Sequence, residues 1–102
     1  MTRMRRGAIV RRVTVTFEGT AEEYPAWIHG EDGLVWRVRA IITYWQHPDL
    51  GRCRLVPGHH GEAIRWRLTV VGPVPGDPER VGEQTVILRT HGEGMSWYMS
   101  PG

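Results

Sequence analysis

The thirteen basic side chains, all arginine and none lysine, are the groups whose type and spacing most directly suggest chemistry. Arg37 and Arg39 alternate with Trp36, Val38 and Ala40, and Arg65 and Arg67 alternate with Ile64, Trp66 and Leu68. In an extended strand, alternation sends the arginines to one face and the apolar residues to the other. Strands lie about 4.8 Å apart in a sheet, so two neighbouring strands would gather four guanidinium groups into a small patch. Arg89 would extend it. Guanidinium groups bind phosphate in a bidentate fork and stack on bases. The simpler reading is a solvated sheet face balanced by Glu and Asp, since like charges directly opposite one another are unfavourable.

A second basic group is Arg3, Arg5, Arg6, Arg11 and Arg12, within twelve residues that contain no acid. Such an arm can bind nucleic acid by neutralising phosphates, or simply solubilise the start of the chain. Beyond it, eight arginines face eleven acids, a net of −3, which argues against a nucleic-acid footprint over the whole surface. The exclusive use of arginine also fits a GC-rich coding sequence.

Other candidate groups are weaker. His47, Asp49, Cys53, His59 and His60 are of the right types for zinc, but their spacing is no recognised ligand pattern and there is no second cysteine. No metal or other cofactor is expected. Glu22, Glu23, Glu31, Asp32, Glu62 and Glu93 fall mostly in expected turns, and there is no nucleophile elbow, phosphate loop or dinucleotide fingerprint. A non-enzymatic protein is therefore expected. Of the five tryptophans, most should be core; Trp27 and Trp45 are the two placed to lie partly exposed and mark a partner-binding surface.

The elements that must position these residues are strands. VTVTFE, from Val13, alternates as a half-buried strand. YPAWIH, from Tyr24, is expected to fold back through Gly30-Glu31-Asp32-Gly33 onto LVWRVRAIITYW, residues 34–45. Pro25 places its segment at an edge or at a strand start. The central strand is long enough to need a bulge, expected near Ala40-Ile41-Ile42, after which Trp45 could turn inward. A short strand is expected at 52–56, a strong one at 63–71, one at 84–90 and a last one through Met95, Trp97 and Met99. Residues 72–83, with three prolines and three glycines, read as the longest and most exposed loop.

One domain is expected: a basic arm over 1–12 leading into the first strand, a β-domain over 13–99 and a tail over 100–102. The fold class is all-β, a single strongly curved antiparallel sheet or small barrel of five to seven hairpin-connected strands with little helix. A single cysteine excludes an intrachain disulfide. With no signal-peptide core and no membrane-length apolar run, a soluble cytoplasmic protein is expected.

Four pieces, VTVTFEGTAEEYPAWI, WRVRAIITYW, IRWRLTVVG and QTVILRTHGEGMSWYM, resemble the landmarks of a small actinobacterial family, a domain of unknown function numbered 6504. That family occurs alone or beside proteins of the error-prone DNA polymerase type. The resemblance implies a small β-domain and an accessory role in DNA repair or damage tolerance. It implies no catalytic residues, and residues 47–62 depart from the family's pattern. The leading expectation is a binding module that contacts DNA or RNA through the arm and the Arg37, Arg39, Arg65 and Arg67 face. The alternative is a protein-interaction module that uses a sheet edge or the Trp27 and Trp45 patch, with a homodimer through that edge as one form.

Overall fold

A computed structural model describes residues 10–19, 24–48, 62–74, 76–91 and 96–102. Among the described residues, six strands run in chain order: β1 (Arg11–Glu18), β2 (Tyr24–Gly30), β3 (Val35–Gln46), β4 (Glu62–Val74), β5 (Asp77–His91) and β6 (Trp97–Pro101). Each pairs antiparallel with the next, and β6 returns to β1, so the sheet closes into an uneven ring. No helix is present among the described residues. The fold is thus all-β and antiparallel, as the alternation implied.

The ring closes because one face of every strand is apolar. Val13, Ile28, Trp36, Leu68, Val70, Val86, Leu88 and Met99 form one buried cluster, with Val15, Leu34, Val38, Trp66 and Trp97 packed against it. Closure is shallow at β1–β6, where three residue pairs suffice, from Arg11↔Met99 to Val13↔Trp97. It is deep at the β4–β5 hairpin, which pairs from Glu62↔His91 to Val74↔Asp77.

The β2–β3 turn follows from its glycines and Asp32. Gly33 has a φ of 88°, a left-handed backbone that glycine adopts without steric cost. Gly30 N–H donates to Leu34 O at 2.8 Å, and Leu34 N–H donates to the Asp32 carboxylate at 3.2 Å. Pro25 lies in the first turn of pairing with β1, opposite Phe17. On its other side β2 pairs with β3 only from Trp27↔Arg37 to His29↔Val35, so the residue lacking an N–H sits where no β3 partner takes one.

The stretch 72–83 is not a loop. β4 continues to Val74 and β5 starts at Asp77, with Gly76 at a φ of 84° in the tight turn between them. Trp36 is the reason. Its indole N–H donates to Pro73 O at 3.0 Å, and Gln84 donates to the same carbonyl at 2.9 Å. Gly72 lies under the Trp36 ring, where a Cβ would also come within 2.8 Å of Val35 O. A glycine and a proline that read as loop formers instead let a tryptophan lie against the hairpin.

The boundaries shift accordingly. Arg11 and Arg12 belong to β1 rather than to a free arm, and Ser100 and Pro101 belong to β6 rather than to a tail. Gly102 N–H donates to Thr85 O at 3.0 Å. Arg3, Arg5, Arg6 and the strand expected at 52–56 lie outside the described residues, as does Met95.

Candidate binding surface

β3 carries two register shifts against β4, between Val38 and Ala40 and between Ile41 and Thr43. Each one-residue bulge reverses which side of the sheet the following residues face. The two reversals cancel. Tyr44 is opposite Trp66, with ring centroids 4.3 Å apart, and so returns to the side that Trp36 occupies. Trp45 is opposite Arg65 on the outer side, and the Arg65 guanidinium lies 5.5 Å from its ring centroid. The inward turn expected for Trp45 is therefore corrected: one bulge would have produced it, and two do not.

Beyond Arg37 the partnership of β3 is one-sided. β4 follows it to Gln46↔Ile64, whereas β2 leaves it after Trp27↔Arg37. Among the described residues, no strand lies along the other edge of β3 from Val38 to Gln46. The divergence opens a groove of about 330 Å³, lined on one side by Tyr24, Ala26 and Trp27 and on the other by Arg37, Arg39 and Ile41. Apolar groups stand open along the groove and along β3 beyond it: Tyr24, Trp27, Ile41, Ile42, Tyr44 and Trp45 are each between 40% and 49% exposed. Charged gatekeepers, the usual protection of such an edge, are confined to Arg37 and Arg39 near its closed end.

The arginines do not form one patch. Arg37 pairs with Val71 and Arg67 with Thr43, so the β3 pair and the β4 pair are offset by about 13 Å along the ladder. Arg39 has Glu83 at 3.3 Å. Arg65 takes both oxygens of Glu62, which raises the arginine's pKa further. Arg89, directly opposite Arg65, has the same Glu62 at 3.7 Å. Among the described residues, Arg37 and Arg67 have no ion pair. Arg12 lies opposite Tyr98 and reaches Ser96 at 3.4 Å. The register thus makes one outer row, Trp45, Arg65, Arg89, Tyr98 and Arg12, across five strands.

Arg11 goes elsewhere. Its partner Met99 is buried, and Arg11 itself leans over the end of the ring. There it pairs with Asp32 at 2.9 Å and lies 5.5 Å from the Trp36 ring centroid. The Leu34 N–H first, and the Arg11 guanidinium after it, hold the Asp32 carboxyl below its ordinary pKa. No sequence pattern linked Arg11 to Asp32; only closure of β1 beside the β2–β3 turn brings them together.

Among the described residues, no three His, Cys, Asp or Glu side chains converge as a metal-ligand group. His47 is described, but Asp49, Cys53, His59 and His60 lie outside the described residues. No helix of the described residues is long and apolar enough to cross a membrane. No protein-family model matches the chain, and no curated protein or solved structure matches it.

Proposed function

We propose that this protein is a protein-interaction module that captures an extended peptide segment along the open edge of β3. The observation that carries this reading is the early end of β2–β3 pairing at Trp27↔Arg37 while β3 runs on to Gln46. A strand edge offers backbone donors and acceptors at fixed spacing, and an incoming segment satisfies them by strand addition. The exposed side chains set its preference. Apolar residues of the segment would meet Ile41 and Tyr44, and alternate acidic residues would meet Arg37 and Arg67 on the outer side. The test is selection of peptides from a displayed library, followed by amide mapping on the labelled protein. Selected peptides should perturb β3 beyond Val38, and I41E or I42K should weaken them at least tenfold. Perturbation confined to β5 and β6 would overturn the proposal, and sedimentation as a dimer through the same edge would replace the peptide by a second copy.

A second reading is nucleic-acid contact, favoured by the outer row in which Trp45 stands beside Arg65, and Tyr98 stands between Arg89 and Arg12. Aromatic stacking combined with arginine is a single-strand binding chemistry. The resemblance to a family found beside error-prone polymerases supplies a setting in DNA repair or damage tolerance. Glu62 opposes this reading, because it neutralises the centre of the row. E62Q should therefore strengthen binding to a single-stranded oligonucleotide at low salt if the row is used, and leave it unchanged otherwise.

A further inference from the structure

We infer that the end of the ring beneath Arg11 is a second binding site, for a neutral, mainly apolar ring compound whose polar edge carries both a donor and an acceptor. This does not rest on the peptide reading, because the site lies between the β2–β3 turn and the β4–β5 turn. A cavity of about 270 Å³ opens there, room for a one- or two-ring molecule. Trp36, Val86 and Met99, all buried, form part of its lining, with Leu34 half-buried beside them. Barrel mouths are common places for small ligands, since the inward side chains cannot all fill the widening end.

The polar groups define the ligand's charge. Among the described residues, Arg11 and Asp32 are the only charged ones of the lining, and they neutralise one another at 2.9 Å. An anion would face Asp32, which its neighbours keep ionised, and a cation would face Arg11. A neutral molecule meets neither repulsion. Arg11 gives one N–H to Asp32 and keeps others to donate. Gln84 is fixed from its amide nitrogen, which donates to Pro73 O at 2.9 Å and lies 3.4 Å from Gly72 O. That tether leaves the Gln84 carbonyl oxygen as an acceptor among the cavity walls. A donor beside an acceptor on a flat apolar body, the edge of a lactam or a nucleobase, matches this set.

Three bicyclic probes of nearly one shape separate the possibilities: 2-quinolinone, quinoline-2-carboxylate and naphthalene. Titration of the full chain should shift the Trp36 indole N–H and the Gln84 side-chain amide saturably with the lactam. The carboxylate and the hydrocarbon should bind at least about tenfold more weakly, because a site with built-in hydrogen-bonding groups rejects partners that leave them unmet. R11M should reduce lactam affinity about tenfold. L34W, which fills the mouth from a half-buried position at the edge of the core, should abolish the shifts. Equal or tighter binding of the carboxylate, shifts that survive L34W, or no shift with any probe would each overturn the inference.

Discussion

Asp32 shows how one exposed carboxylate can serve several elements. It caps the turn by accepting the Leu34 N–H, holds Arg11 of β1, and charges the rim of the cavity. Its pKa is lowered, so the folded chain keeps it ionised to lower pH than the unfolded chain does. Its contribution to stability is therefore complete above the ordinary carboxylate pKa and disappears as pH falls through its depressed value. D32N keeps an oxygen for the Leu34 N–H but has no proton to gain. Thermal melting of D32N and the parent at stepped pH should show the two curves converging as pH falls below the ordinary carboxylate range, through the depressed value at which the parent's Asp32 takes up its proton. A constant gap down to pH 2 would mean that the carboxylate's charge contributes nothing.

The β3 strand is governed by counting. A strand presents alternate residues to opposite faces, and a bulge shifts the count by one. With bulges at Arg39 and Ile42, Trp36 and Tyr44 share a face although Ile41, opposite Leu68, interrupts the even-numbered series. Deleting Ile42 alone removes one shift. Because the extra residue and its bulge go together, Thr43 should stay opposite Arg67 and Tyr44 opposite Trp66, read as retained cross-relaxation between the two rings. If the Tyr44–Trp66 contact is lost on deletion, the second bulge does not lie at Ile42. The same count explains why the arginines expected in one cluster separate into two. In an antiparallel pair, register decides what lies opposite, and here it places Arg37 against Val71.

At the scale of the molecule, one tryptophan ties the ring together. Trp36 is 2% exposed, touches the β4–β5 hairpin through Pro73 and Gly72, and lies under Arg11 of β1. W36A should cost about 3–5 kcal/mol, the range for removing a large aromatic from a core, and should loosen the turn of the β4–β5 hairpin. Small domains have only about 5–15 kcal/mol in all. Trp45, 40% exposed, is its counterpart on the open edge, and W45A should cost less than about 1 kcal/mol. Urea unfolding of the two variants checks both values, and similar losses would contradict this division of roles.

The sequence alone determined the strand class and most of the core. Period-two alternation in 13–18, 63–71 and 84–90 marks half-buried strands whatever their partners are. The Gly30–Gly33 turn was equally legible, because Asp-Gly has few other uses between apolar runs. Tertiary structure decided the rest. The prolines and glycines of 72–83 carry a loop signal locally, and only the Trp36 ring lying against Gly72 makes them a hairpin. The pairing of Arg11 with Asp32, the sharing of Glu62 by Arg65 and Arg89, and the cavity at the ring's end all depend on register and closure. These are relations between distant segments, which residue type and spacing along one strand do not encode. The open edge of β3 is of the same kind: Ile42 and Tyr44 read as core in the sequence, and only the departure of β2 leaves them exposed.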